Sequence, residues 1–156
     1  RILFNELDGV LNASTTIIWK KQTFTLGRGK YQNQYEPIWF GWNESGTNFV
    51  NSRNLTNVWE IDRPFSSKLH PTMKPLALIE MAIKHASIQN QFVLDLFLGS
   101  GSTLIACEQT NRICYGMELD EKYCDVIVQR WVNFTGGDVI LNGKKIKWGK
   151  TDGRKD

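Results

Sequence analysis

The chain has 156 residues, the size of about one domain, and carries a formal net charge of +3. Its composition, 41% hydrophobic and 22% charged, is typical of a globular protein and excludes a disordered chain. No apolar run approaches the roughly 20 residues that a membrane-spanning helix needs, and the first residues show no signal-peptide pattern. We therefore expect a cytoplasmic protein with a single domain.

The first half of the chain is predicted to form a helix followed by two short strands. Apolar residues fall on a helical stripe over residues 2–11, and β-branched and aromatic side chains run through Thr15–Trp19 as in a strand. A polar stretch over Gly27–Gln34 precedes a second aromatic strand at Pro37–Trp42. Residues 43–68 have little periodicity, and an irregular segment of that length is usually functional or disordered.

The second half alternates helices and buried strands, which indicates an α/β fold with a parallel sheet. A helix is predicted from Pro75, a strand at Phe92–Phe97, a crossover helix at Thr103–Gln109 and a second strand at Cys114–Met117. The three cysteines, Cys107, Cys114 and Cys124, are odd in number and have neither a Cys-x-x-Cys spacing nor nearby histidines. We expect them to be reduced core residues, and we expect no metal site.

A third helix and a hairpin are predicted to complete the chain. Asp120 suits the N-cap of this helix, and Gly136 lies just past its end. The segment Val139–Trp148 is interrupted by Asn142-Gly143, a dipeptide typical of a type I′ hairpin turn. The charged tail from Gly149 is expected to be frayed.

The segment after the first buried strand is the most informative part of the sequence. The strand ends at Asp95, a glycine loop (Leu96–Gly101) follows, and the second strand leads to Glu118, 23 positions after Asp95. This spacing is close to that of an acid that binds ribose hydroxyls in a nucleotide-binding βαβ unit. It predicts an adenosine-containing cofactor, although isolated Gly-x-Gly loops are also common as purely structural turns.

The composition of the glycine loop favours S-adenosylmethionine over a dinucleotide. A dinucleotide site needs a third glycine where this chain has Leu104, so that the helix N-terminus can approach a pyrophosphate. Asp95 would also repel a pyrophosphate at short range. S-adenosylmethionine has no phosphate, and a nearby carboxylate favours its ammonium and sulfonium groups.

Three segments together resemble the C-terminal half of a beta-class DNA amino-methyltransferase, over roughly residues 15–136. They are His70-Pro-Thr-Met-Lys-Pro75, Asp95-Leu-Phe-Leu-Gly-Ser-Gly-Ser-Thr103 and Glu118-Leu-Asp-x-x-Tyr123. Such enzymes transfer a methyl group from S-adenosylmethionine to the exocyclic amine of adenine or cytosine in DNA. The resemblance implies a Rossmann-like methyltransferase fold with an incomplete parallel sheet, flanking helices and a C-terminal β-hairpin.

The resemblance also implies a set of cofactor-binding residues. Thr72 and Lys74 would contact the methionine end of the cofactor, Asp95–Gly101 would cradle it, and Glu118 would hold the ribose. Taken alone, His70–Pro75 is also consistent with the start of a helix that leaves Lys74 solvated. The full expected set is Thr72, Lys74, Asp95, Phe97, Gly99, Ser100, Gly101, Ser102, Thr103 and Glu118.

The catalytic element of this family is absent from the sequence. That element is Asp-Pro-Pro-Tyr or a close variant, which binds the target amine and stacks on the flipped base. None of the four prolines is adjacent to another, so no catalytic residue is assigned, and His85 is expected to be an exposed helix residue. The simplest account is a fragment that begins after the catalytic loop. Loss of the corresponding strands is expected to leave a split sheet, or edges that an oligomer buries.

Double-stranded DNA is the partner that this interpretation requires. Basic residues cluster next to Tyr31 and several amides, which suits phosphate and base contacts, although a solvated loop with ordinary charges is the alternative. We expect one partial domain, 1–156, with a DNA-contacting insert at 20–68 and a cofactor-binding part at 70–136. The expected DNA-contacting residues are Lys20, Lys21, Arg28, Lys30, Tyr31 and Arg53.

Other interpretations remain open from the sequence alone. The chain could be a non-catalytic cofactor-binding half or remnant that needs a separate chain, so that its partner is a complementing N-terminal half or a second copy of itself. It could also be another Rossmann-like enzyme, such as a small-molecule methyltransferase or a dehydrogenase.

Overall fold

The computed structural model describes residues 12–42, 52, 54–63 and 73–148. The predictions for the helix at 2–11, for Arg53, for Thr72 and for the tail from Gly149 lie outside these ranges. The chain divides into two compact units, one comprising Arg1–Pro64 and His85–Ser87, the other Phe65–Lys84 and Ile88–Asp156. Among the helices in the described ranges, none has the length and apolar character that crossing a membrane demands.

The first unit contains a three-stranded sheet. Strands β1 (Asn12–Thr25) and β2 (Asn33–Trp42) are antiparallel, and β3 (Val58–Glu60) pairs in parallel with the other edge of β1. Both predicted strands exist and are longer than expected, because the polar residues after Trp19 continue the pairing with β2. The short strand β3 lies within the segment that was expected to be irregular.

The core of this unit forms around the indole of Trp19. Trp19 is almost completely buried with Ile17 and Trp59, and its Nε1 donates a hydrogen bond to the carbonyl oxygen of Ile61 at 2.7 Å. Burial of two indoles compensates for the small size of the sheet, since each aromatic side chain removes a large apolar area from water. His85 stacks edge-on against Trp59 with ring centroids 5.5 Å apart. The expectation of an exposed His85 is therefore wrong: it is partly buried, and this burial lowers its pKa.

The second unit is built on a parallel pair of strands, β4 (Phe92–Asp95) and β5 (Ile113–Gly116). Helix α1 (Leu76–Ala86) precedes β4, and α2 (Ser102–Thr110) is the crossover between the strands, as predicted. Ile83, Ala106 and Cys107 form the core, against which Val93 and Cys114 pack. All three cysteines are free, as expected, and burial beside Cys114 raises the pKa of Cys107 to about 12.

The other face of this parallel pair is exposed. Phe92 lies opposite Ile113 and Leu94 opposite Tyr115 in the register, and all four side chains are open to solvent. Parallel sheets normally bury both faces. We call this surface the open apolar face (Phe92, Leu94, Ile113 and Tyr115). In the described ranges the strands form three separate sheets, which confirms the expected split.

Helix α3 (Glu121–Thr135) and a hairpin complete the described chain, as predicted. The Asp120 carboxylate accepts a hydrogen bond from the N–H of Lys122 at 2.9 Å, and Gly136 ends the helix at φ 68°. Strands β6 (Val139–Leu141) and β7 (Lys144–Ile146) are joined by Asn142 and Gly143. Both turn residues have positive φ, 50° and 76°, as a type I′ turn requires.

Candidate functional site

The candidate site lies in the second unit, at the carboxyl ends of β4 and β5. Two backbone hydrogen bonds continue the strand pairing there: the N–H of Met117 donates to Asp95 O and the N–H of Leu98 donates to Met117 O, each at 2.9 Å. These bonds bring the segment after β4 alongside the segment after β5. Ligands of open α/β sheets bind at this edge, outside the carboxyl ends of the strands.

Asp95 fixes the two ends of the glycine loop. Its Oδ1 accepts a hydrogen bond from the N–H of Phe97 at 3.0 Å, and its Oδ2 accepts one from the hydroxyl of Thr103 at 2.6 Å. The first contact closes a local turn typical of Asp, and the second ties the loop to the first turn of α2. One carboxylate therefore holds both the start of the loop and the helix that follows it.

Glu118 holds the middle of the same loop. Its Oε2 accepts a hydrogen bond from the N–H of Gly99 at 2.7 Å, while its Oε1 accepts from the N–H groups of Leu119 and Asp120 at 2.9 and 3.0 Å. Three backbone donors thus orient this carboxylate. The two acids, 23 positions apart in sequence, are parts of one hydrogen-bonded unit.

The glycine loop has room for a ligand on its outer side. A Cβ atom added at Gly99 would meet only the carbonyl oxygen of Phe97, at 3.9 Å. The side chains of Phe97 and Leu119, which flank the two acids in sequence, are 89% and 98% exposed. The N-cap residue of α2 is Gly101, which has no side chain that could cap the N–H groups of the first turn. The site combines two acids, an apolar rim and backbone donors.

Helix α3 supports the glycine loop from its inner side. A Cβ atom added at Gly101, where φ is 80°, would approach both γ carbons of Ile127 to 3.2 Å. One turn further on, Arg130 Nη1 donates to the carbonyl oxygen of Ser100 and lies 3.0 Å from Ser100 Oγ and 3.4 Å from Ser102 Oγ. Burial lowers the pKa of Arg130. Arg130 is not among the site residues predicted from the sequence, although a cation beside the apolar stripe of an amphipathic helix was the available signal.

The structure brings most of the expected cofactor residues together. One hydrogen-bond network and its rim include Asp95, Phe97, residues 99–103 and Glu118. The hydroxyls of Ser100 and Ser102 face Arg130, and the two residues are only 5% and 8% exposed. Lys74 is exposed just before α1. The assignment of these residues to a cofactor stays a prediction.

The expected DNA-contacting residues that the structure describes fall into two groups in the first unit. The Lys20 ammonium bonds Glu60 at 2.9 Å, and Lys21, only 5% exposed, lies 3.4 Å from Glu36. The other group is Arg28, Lys30 and Tyr31 in the β1–β2 turn (residues 26–32), where all three are exposed. Gln32 braces this turn: its side chain accepts from the N–H of Gly27 at 2.6 Å and donates to Gly29 O at 2.8 Å.

The βαβ unit, with a glycine loop and an acid at or just past the carboxyl end of each strand, is typical of Rossmann-like nucleotide-binding folds. A family model described as DNA methylase matches residues 1–129. The chain therefore belongs to the DNA methylase family, whose members act on the N6 or N4 amino group. This membership decides against the alternative of a dehydrogenase.

The chain is similar to part of several curated bacterial enzymes. It is 32% identical to the type II methyltransferase M.HpaI of Haemophilus parainfluenzae over 126 residues, which are 78% of this chain and 38% of that protein. It is 29% identical to M.HindIII of Haemophilus influenzae over 119 residues, again 38% of that protein. The chain thus spans little more than a third of the length of these relatives.

Solved structures confirm the predicted α/β methyltransferase fold. A crystal structure of the M1.HpyAVI complex with S-adenosylmethionine matches with a TM-score of 0.68 and 27% identity, covering 81% of this chain and 65% of that one. The cytosine-N4-specific PvuII DNA methyltransferase matches with a TM-score of 0.67 at 19% identity, covering 82% of this chain and 54% of that one. The second likeness concerns the fold alone.

The packing of α3 under the loop predicts a difference between two glycine substitutions. Gly101 and Gly136 both have positive φ, 80° and 68°, but only a Cβ at Gly101 would meet a neighbour within 4 Å. Each change to Ala should cost about 1–2 kcal/mol for the left-handed backbone. Gly101→Ala should cost about 1–3 kcal/mol more, because the methyl group crowds Ile127. Urea unfolding of both variants measures this difference, and equal losses would contradict the packing.

Proposed function

We propose that this chain is the cofactor-binding part of a DNA amino-methyltransferase. In the complete enzyme a methyl group passes from S-adenosylmethionine to the exocyclic amine of adenine or cytosine in double-stranded DNA. The observation that carries the proposal is the joint hold of Asp95 and Glu118 on one glycine loop, in a chain of the DNA methylase family.

The chemistry of the site suits S-adenosylmethionine. Bound there, this cofactor would supply an electrophilic methyl group on its sulfonium. The carboxylates of Asp95 and Glu118 favour a cationic ligand and oppose a pyrophosphate. Glu118, oriented by three backbone donors, is the residue that would accept the ribose hydroxyls. The exposed ring of Phe97 and the exposed side chain of Leu119 are suited to packing against the faces of a purine.

In this proposal the described residues of the second unit bind and orient the cofactor. Methyl transfer needs an amine nitrogen aligned with the methyl group, so positioning supplies much of the rate. The acceptor site would come from the Asp-Pro-Pro-Tyr element of the family, which this sequence lacks. We therefore assign a binding role to this chain and the acceptor chemistry to other polypeptide.

The role of Glu118 is tested with Glu118→Gln. The substitution keeps the size of the side chain but removes a charge and places an amide against the N–H of Gly99. Affinity for S-adenosylmethionine should fall by about 1.5–3 kcal/mol, or roughly 10- to 150-fold in Kd, as expected for hydrogen bonds to a charged group. Calorimetry on the folded variant measures the change.

The control for this test is Glu121→Gln. Glu121 lies exposed in the first turn of α3, so its substitution makes the same charge change three residues away without touching the loop. It should leave the Kd within about twofold, since an exposed charge is well screened. An unchanged Kd in Glu118→Gln, or tighter binding of a nicotinamide dinucleotide, would contradict the proposal.

DNA is the proposed partner of the first unit. Support comes from the β1–β2 turn, where Arg28, Lys30 and Tyr31 project into solvent from a braced segment. Within the described residues neither basic side chain of this turn forms an ion pair, so both charges are available for phosphates. Lys20 and Lys21 are engaged by glutamates, and we give them a smaller share of the contact.

The DNA contact is tested with the double variant Arg28→Ala/Lys30→Ala. Each lost phosphate contact should reduce the slope of log affinity against log salt by about one unit, so the double variant should lose about two. Fluorescence anisotropy with a duplex across a salt series measures the slope. Lys144→Ala/Lys147→Ala, with the same charge loss on the hairpin segment, is the control. Equal slopes for all three proteins would assign the turn to a solvated loop.

We further propose that polypeptide outside this chain covers the open apolar face. Four exposed apolar side chains on a parallel pair leave a surface that such sheets normally bury. The relatives have more than half of their length outside the match, which is enough to supply a covering layer. The proposed occupant is the complementary part of the methyltransferase, the part that carries the catalytic element.

This partner proposal predicts that the chain alone transfers no methyl group to DNA above background. Mixing it with a polypeptide that carries the Asp-Pro-Pro-Tyr element of the family should restore labelling from radioactive cofactor. Tyr115→Lys, which places a charge on the open apolar face, should prevent that restoration while leaving cofactor affinity unchanged. Clear turnover by the chain alone would contradict the proposal, and so would self-association that buries this face in place of the partner.

A further inference from the structure

Arg130 joins helix α3 to the inner side of the glycine loop. Its Nη1 donates to the carbonyl oxygen of Ser100 and lies within hydrogen-bond distance of the hydroxyls of Ser100 and Ser102, at 3.0 and 3.4 Å. These acceptors flank Gly101 on both sides. One guanidinium nitrogen therefore contacts both of the serines that adjoin Gly101.

Partial burial of the Arg130 guanidinium carries a desolvation cost that its hydrogen bonds must offset. Arg130 is partly buried, and desolvation is the cause that lowers its pKa. Within the described residues no carboxylate pairs with it. A cation withdrawn from water without a counter-ion loses solvation that only its hydrogen bonds can replace. The oxygens that accept these hydrogen bonds are the carbonyl of Ser100 and the hydroxyls of Ser100 and Ser102.

The loop needs such support because of its own sequence. Ser100 lies between Gly99 and Gly101, and both glycines have positive φ, 55° and 80°. Glycine permits many backbone conformations, so the flanking residues do little to fix the orientation of the Ser100 peptide. The bond from Arg130 to the Ser100 carbonyl holds one side of this peptide unit, and the N–H of Gly101 holds the other by donating to Leu98 O at 2.9 Å.

The two sides of the loop are thus held by different elements. Asp95 and Glu118 bond Phe97 and Gly99 on its outer side, and Asp95 also bonds Thr103 in the first turn of α2. Arg130 and Ile127 hold its inner side from one face of α3. Release of the inner side would let the Ser100 peptide turn and would disturb the N–H of Gly99, which orients Glu118.

We propose that Arg130 is a positioning residue for the cofactor. It fixes the Ser100 peptide and the two serine hydroxyls, and through them the affinity of the glycine loop for S-adenosylmethionine, without touching the cofactor itself. On this proposal Ser100 and Ser102 serve the cofactor through Arg130, because their hydroxyls are buried against it. The inference rests on the proposed function and deepens it.

The test compares Arg130→Ala with Arg112→Ala. Arg112 also donates to a backbone carbonyl, that of Thr110, but at the far end of α2 from the loop. Both variants lose one cation and a donor to a backbone carbonyl. Arg130→Ala should weaken S-adenosylmethionine binding at least about tenfold, the effect expected of a hydrogen bond from a charged group. Arg112→Ala should stay within about twofold of the parent protein.

Two further readouts separate positioning from general stability. Millimolar methylguanidinium, which can occupy the space of the lost side chain, should restore much of the affinity of Arg130→Ala and none for Arg112→Ala. Arg130→Lys keeps the charge and one donor, so it should bind with intermediate affinity, and it remains informative if Arg130→Ala fails to fold. Hydrogen exchange of the amides of residues 99–103 should rise in Arg130→Ala without any cofactor present.

The outcomes distinguish this inference from the proposed function. If the parent protein binds no S-adenosylmethionine, the proposed function fails, whatever Arg130 does. If the parent binds and Arg130→Ala binds equally well with unchanged exchange, the inference on Arg130 fails alone. Equal losses in Arg130→Ala and Arg112→Ala, or no rescue by methylguanidinium, would also overturn it, because the effect would then be one of fold stability.

Discussion

The candidate site depends on the continuation of strand pairing past the ends of β4 and β5. The hydrogen bonds between Met117 and Asp95 and between Leu98 and Met117 keep two irregular segments in register where the regular sheet has stopped. Without them Glu118 would not reach the N–H of Gly99, and the two acids would belong to separate loops. A constraint of the backbone thus creates a site that the side chains then stabilise.

The fold of the second unit was largely predictable because its signals are local. Apolar periodicity predicted α1, α2 and α3. Asp120 and Gly136 predicted the ends of α3, and Asn142-Gly143 predicted a turn, because the geometry at such positions depends on few neighbours. The strands β4 and β5 differ from their predicted bounds by one or two residues, since apolar residues such as Leu96 and Phe97 continue past the regular strand into the loop.

The remaining features depend on contacts between residues distant in sequence. The polar half of β1 is a strand because β2 pairs with it, and β3 exists because the edge of β1 is open to it. Lys21 is buried because the alternation that places Trp19 inside places the residue two positions later on the same face. Arg130 finds its acceptors 28 and 30 positions earlier, and no local pattern encodes such a distance.

The β1–β2 ribbon has a consequence for how such proteins can diverge. Among the described side chains, that of Gln32 holds the β1–β2 turn by hydrogen bonds. Residues 26–31 of this turn are exposed. Loops that do not pack against a core tolerate insertion and substitution far better than the elements they connect. Lineages could therefore exchange the residues of this turn, and with them the chemistry offered to a partner, while the indole core and the glycine loop stay under separate selection.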